Sequence, residues 1–175
     1  IAKHGWLIMI IKKTRVYFVF ISMFFIASAF SQTAPKTASQ TQYADTVISY
    51  VKFVYDGDTV LLSNNQKVRY IGIDTPETEH SKKGAQFFSK EATTYNKNLV
   101  LNKKVRLEFD IEKRDKYGRL LAYVFVDDIF VNAKLVEDGF AKVFEFQPNI
   151  KYRDLFQRLQ KTAQDQKKGM WAVKP

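Results

Sequence analysis

From Thr46 onward the chain alternates between two hydrophobic periods, and the changes of period mark out its elements. Thr46 to Tyr55 is rich in Val, Ile, Tyr and Phe in weak alternation and predicts a strand. Thr59 to Leu62 is a second strand, followed by Asn64-Asn65, a pair that favours a tight turn. Lys67 to Ile73 is a third, broken at Thr75-Pro76 because proline donates no ladder hydrogen bond. Ala85, Phe88, Ala92, Tyr95 and Leu99 then recur at helical spacing and predict one apolar helix face, all core. Lys104 to Phe109 alternates as a fourth strand, and Leu120 to Val126 is a fifth that ends in an Asp127-Asp128 turn. Val131 to Asp138 predicts a short helix stopped by Gly139 at its C′ position. Ala141 to Phe146 reads as extended. A last helix follows Pro148-Asn149, turns Ile150, Leu155, Phe156 and Leu159 inward, and closes at Lys167-Lys168-Gly169.

Five strands in a run, one helix after the third and helices at the end predict an α+β fold with a mainly β core. The expected architecture is a small antiparallel five-stranded Greek-key barrel of the OB type, flanked by three helices. This domain occupies residues 45–175. Residues 1–29 follow a different logic: Lys3, Lys12, Lys13 and Arg15 precede an uncharged stretch from Val16 to Phe30, with small residues at Ala27 and Ala29. The stretch is short of the roughly 20 residues a membrane span needs. Basic segment, apolar run and small residues predict a signal peptide cleaved near Ala29, hence a secreted or periplasmic protein with no membrane attachment after cleavage. Met9 reads as the true start, with residues 1–8 upstream of it. Residues 30–44 are small and polar and read as a disordered leader.

Composition removes several chemistries. The absence of Cys excludes disulfides, thiolate-bound metals and a catalytic thiol, and two His exclude a multi-histidine metal site. A metal here must take oxygen ligands, which points to calcium, magnesium or manganese. The formal net charge of +10 suits a polyanionic partner.

Three polar segments interrupt the strands. Asp56-Gly57-Asp58-Thr59 is a common hairpin turn, or else it presents Asp58 to a hard cation. Arg69 to Glu77 places Arg69 beside apolar Ile71 and Ile73, either at a barrel rim or in a site, and ends with Asp74, Thr75 and Glu77 around Pro76. Asp115-Lys116-Tyr117-Gly118-Arg119 is a solvated turn, or a second guanidinium aimed at an anion. Each segment alone is weak. Together they supply what phosphodiester hydrolysis needs: a cation site, guanidiniums for a charged pentacoordinate state, and a carboxylate for water.

These segments, in this order and spacing, resemble the staphylococcal nuclease (thermonuclease) family. The signature stretches are Tyr55 to Val60, Arg69 to Thr78 and Asp115 to Tyr123, and the resemblance runs from about Val47 to Ala172. It implies a calcium-dependent, sugar-nonspecific nuclease that cuts DNA and RNA to 3′-phosphate and 5′-hydroxyl products. It further implies calcium held by Asp58, Asp74 and the main-chain carbonyl of Thr75, with Glu77 holding or deprotonating the attacking water. Arg69 and Arg119 would grip the scissile phosphate, and Lys116 and Tyr117 would touch the nucleotide's terminal phosphate. A guanidinium is a poor general acid, so Arg119 is assigned charge stabilisation and leaving-group protonation stays open. Asp56 is read as a turn or supporting residue rather than a ligand.

The chain departs from the family pattern at Phe144-Glu145-Phe146-Gln147-Pro148, where tyrosines are usual and one residue more is expected. Phe144 and Phe146 keep the aromatic faces on which bases stack but not the hydroxyls. His80 and the pairs Lys82-Lys83 and Lys103-Lys104 read as surface. Single strands are the expected substrate of a monomer with no stable protein partner, because a compact pocket excludes a stacked base pair. A silent nucleic-acid-binding module and a membrane-tethered basic protein are the competing readings.

Overall fold

A computed structural model describes residues 46–79 and 84–172. The expected signal peptide (1–29), the leader (30–44), His80 and Lys82-Lys83 lie outside the described residues. In chain order the elements are β1 (Thr46–Val54), β2 (Thr59–Leu62), β3 (Lys67–Tyr70), β4 (Ile73–Asp74), α1 (Ser89–Val100), β5 (Lys104–Glu108), β6 (Leu120–Val126), β7 (Ile129–Phe130), α2 (Val131–Glu137), β8 (Lys142–Val143) and α3 (Arg153–Asp165).

Five strands close the barrel. β1 pairs antiparallel with β2 on one side and β5 on the other, β2 pairs with β3, and β5 with β6. The closing pair, Val68 against Leu120 through Tyr70 against Ala122, is parallel, which corrects the all-antiparallel expectation. A parallel pair cannot be joined by a short hairpin, and α1 and β5 fill the long connection that it requires. Val51, Val60, Leu62, Val68, Leu107 and Val124 fill the interior, each almost fully buried.

A bulge sits in β1. Val51 faces Leu62 and Phe53 faces Leu61, so Lys52 is an extra residue in the strand. The bulge lets Val51 and Val54 both point inward while Phe53 and Tyr55 share the outer face.

Several local expectations are corrected. The run Lys67 to Ile73 is two strands, parted at Gly72, whose φ is 79°. A Cβ there would stand 2.6 Å from the Phe156 ring, so close packing of α3 requires the glycine. The first helix begins at Ser89, not near Ala85: Phe88 is left-handed at φ 71° and Ala85 is exposed. Its buried line is Ser89, Ala92, Asn96 and Val100, with Tyr95 and Leu99 packed at its margin. Ala141 to Phe146 forms a strand only at β8, with a single further bridge from Phe146 to Asn149. α3 begins at Arg153, which leaves Ile150 outside the helix and exposed, while Phe156 is buried and Leu155 and Leu159 are partly so. β7 was not anticipated, because two residues are too few to show a period.

Candidate active site

One mouth of the barrel holds most of the expected residues. Asp58 leads into β2, and Arg69 of β3 lies opposite Thr59 in the ladder. β4 brings Asp74, and the chain then turns through Thr75 and Pro76 to Glu77. Gly57 permits this closeness, since a Cβ there would stand 2.7 Å from the Thr75 side chain.

Arg69 bridges the two acids. Its Nη1 is 2.6 Å from Asp58 Oδ2 and its Nη2 is 3.1 Å from Asp74 Oδ1. Asp58 is buried and tightly held: Oδ2 also accepts from the Thr75 amide (2.8 Å) and hydroxyl (3.0 Å), and Oδ1 from the Thr59 hydroxyl (3.2 Å). Asp56 Oδ1 accepts from the Asp58 amide at 3.0 Å and stands behind the ligand position. Burial, then the neighbouring Asp58 charge, push the Asp56 carboxyl up to about 7. Burial likewise raises the Asp74 carboxyl, against the pull of Arg69.

Arg119 is the residue just before β6, the strand paired with the β3 strand that carries Arg69. Its Nε donates to Asp115 Oδ2 at 2.7 Å, and Asp115 Oδ1 accepts the amides of Tyr117 (2.9 Å) and Arg119 (3.0 Å). Burial alone would raise the Asp115 carboxyl, but these bonds from Arg119 and Tyr117 hold it below the ordinary value. Asp115 thus orients the guanidinium, a role that the sequence, read as a turn, did not disclose.

These groups face a cavity of about 250 Å³. Asp58, Arg69, Asp74, Thr75, Glu77, Arg119, Phe144 and Phe146 all line it, and Asp56 joins them. Lys116 and Tyr117 do not. They stand exposed on the turn before Arg119, with the Tyr117 ring 5.7 Å from the Arg119 guanidinium carbon and 5.2 Å from Lys116 Nζ. Glu77 is fixed through its backbone, which exchanges hydrogen bonds with Gln86 (3.0 and 2.8 Å). Phe144 donates its amide to the Gly72 carbonyl at 3.0 Å, which seats the aromatic segment on the cavity rim.

Two buried asparagines hold the frame, and periodicity could not find them because they sit where apolar residues are expected. Asn96 of α1 donates to the Asp56 carbonyl (3.1 Å) and accepts from the Tyr70 hydroxyl (3.1 Å). Asn132 of α2 donates to the Ile71 carbonyl (2.9 Å) and accepts the Val124 amide (2.9 Å). A buried polar side chain in a helix is the signal that could have marked them.

Among the described residues no three Asp, Glu or His side chains form a metal cage by themselves. Two carboxylates sharing one guanidinium on one cavity nonetheless fit a hard cation that completes its shell with further oxygen ligands and water.

Residues 67–173 match the family model described as staphylococcal nuclease homologue. The chain belongs to the staphylococcal nuclease family. It is 43% identical over 124 residues to the thermonuclease of Staphylococcus intermedius, an alignment covering 69% of this chain and 74% of that protein. It is 41% identical over 122 residues to the thermonuclease of Staphylococcus hyicus, covering 68% and 72%. Endonuclease YncB of Bacillus subtilis (strain 168) is 43% identical over 122 residues, covering 67% and 58%. The family match begins in β3, so it takes in Arg69, Asp74, Thr75, Glu77 and Arg119 and leaves Asp58 just upstream.

Proposed function

We propose that this protein is an exported, calcium-dependent endonuclease that hydrolyses single-stranded DNA and RNA to 3′-phosphate and 5′-hydroxyl products. Phosphodiester hydrolysis is the coarse activity, and membership of the nuclease family carries it. The observation that supports the finer reading is the convergence on one cavity of two carboxylates, two guanidiniums and Glu77.

Asp58, Asp74 and the Thr75 carbonyl would hold calcium, whose positive charge would neutralise phosphate oxygens. Arg69 and Arg119 supply fixed positive charge where negative charge grows on the pentacoordinate phosphorus, the largest contribution such a site makes. Glu77 accepts a hydrogen bond or the proton from a water aligned opposite the 5′ oxygen. The new P–O bond forms as the P–O5′ bond breaks; the 5′ oxygen takes up a proton and the 3′ product keeps the phosphate. Phe144 and Phe146 offer faces for an unstacked base, and the small cavity favours single strands. Export rests on the basic, apolar and small-residue pattern of residues 1–29.

The test is release of acid-soluble nucleotide from heat-denatured DNA, with calcium and with excess chelator, by wild type and Glu77→Gln. Release that requires calcium and falls at least a hundredfold in the variant is expected. Wild type that retains DNA in a gel without cutting it would overturn the enzyme reading in favour of a binding module.

A further inference from the structure

A second and larger cavity, of about 690 Å³, lies between the outer face of β1's end and α1. Its size is within the range of about 300–1,000 Å³ usual for ligand sites. Phe53 and Tyr55 form one wall, and Lys90, Thr93 and Lys97 of α1 form the other. The rings of Phe53 and Tyr55 meet edge to face at 5.0 Å, and both residues keep a third to a half of their surface in solvent, 49% and 36%. Lys67 Nζ sits 4.6 Å from the Tyr55 ring centre.

This arrangement has a structural cause. The β1 bulge turns Phe53 outward beside Tyr55, and the ladder aligns Phe53 with Leu61 and Leu61 with Lys67. Phe53, Leu61 and Lys67 are thereby placed in one row across three strands, and Lys67 reaches the Tyr55 ring beside it. Nothing in barrel packing uses this row, since the core takes Val51 and Val54.

Position along the chain decides what the groove is for. Tyr55 adjoins Asp56, and Thr78, which also lines the groove, adjoins Glu77; Asp56 and Glu77 both line the catalytic cavity. A polymer leaving the scissile phosphate on that side meets aromatic faces and, among the described lining residues, Lys90 and Lys97 against one carboxylate, Glu79, with Lys67 beside the Tyr55 ring. Aromatic faces interleaved with ammonium groups bind single-stranded polynucleotide without sequence preference, bases on the rings and phosphates on the lysines.

We propose that the groove formed by Phe53, Tyr55, Lys90 and Lys97, with Lys67 against the Tyr55 ring, is a secondary subsite for the polynucleotide strand flanking the scissile bond. The proposal rests on the nuclease reading for its substrate, and it makes long strands better substrates than short ones.

Two readouts separate the two claims. The first is calcium-dependent hydrolysis of a dinucleotide with a single scissile bond and of a 20-residue oligothymidylate. The second is fluorescence-anisotropy binding of that oligothymidylate to the uncut Glu77→Gln protein. Phe53→Ala is expected to raise KM for the long strand about fivefold or more and weaken binding similarly. It should leave dinucleotide kcat/KM within twofold of wild type. Lys97→Gln is expected to lower the slope of log affinity against log salt by about 0.7. Equal loss on both substrates, or oligothymidylate binding indifferent to both variants, would overturn the subsite and leave the groove to a protein ligand. If wild type cuts neither substrate, the nuclease reading fails, and the anisotropy series alone judges the groove.

Discussion

Arg69 is held by two acids at once, one on each arm of its fork. Its two terminal nitrogens reach Asp58 and Asp74 separately. A lysine has one ammonium centre and lacks the two separated, planar donors that meet these acids. Arg69→Lys is therefore expected to destabilise the calcium-free protein by about 1.5–3 kcal/mol, because buried Asp58 loses a charged partner. Thermal unfolding in chelator checks this, and added calcium should recover part of the loss in the same assay. Asp115 allows a pH test. Its folded pKa lies below the ordinary value of 3.8, so its contribution is fully present above that value and is lost as pH falls through the folded pKa. Wild type should exceed Asp115→Asn in urea stability at pH 7, and the gap should narrow as the pH falls below 3.8; a gap constant with pH would deny the ion pair. The same variant should lower kcat by about 10- to 100-fold through a misplaced Arg119. At this scale the acids and arginines were legible, because charged residues at strand ends stand out against apolar runs. Asp115 was not, because a carboxylate beside Gly118 reads equally well as a turn residue.

At the scale of elements, the site is assembled by what ends and bends the strands rather than by the strands themselves. Asn96 joins α1 to the Asp56 carbonyl and to Tyr70, and its removal leaves both without a partner in the interior. Asn96→Ala is expected to cost about 1–3 kcal/mol, measured by urea unfolding, with Asn96→Asp no better because it brings charge into a buried position. Gly72→Ala should cost about 2 kcal/mol or more in the same experiment, since it strains a φ of 79° and drives a methyl into Phe156. β1 and β5 were readable from alternation because one face of each is turned inward, and β2 and β6 were readable to the residue as apolar runs buried almost throughout. The break at Gly72 was not, because Lys67 to Ile73 is apolar enough to continue as one strand. The helix starts were misplaced for a related reason: Ala85 and Ile150 fit the helical spacing, but backbone geometry at Phe88 and at the turn before Arg153 decides where each helix begins.

Over the whole molecule, the barrel closes late. β3 must wait for β6 to pair, and the seam they make is the one carrying Arg69. The β3–β4 turn and β8 are covered only by α3: Phe156 packs on Gly72, and Gln160 Oε1 accepts the Val143 amide at 2.7 Å. Phe156→Ala is expected to cost about 3–5 kcal/mol, and a chain stopped after Asn149 should show no cooperative thermal transition by circular dichroism. The OB-type barrel was legible in the order of elements; its parallel seam was not, because alternation reports which face is buried and says nothing of strand direction. That seam has a consequence for the cell that makes the protein. A chain synthesised only as far as Arg119 already carries every acid and arginine of the site, yet it holds them in no fixed relation. Until α3 has emerged from the ribosome, the transcript being translated is in the company of an inert polymer rather than an enzyme.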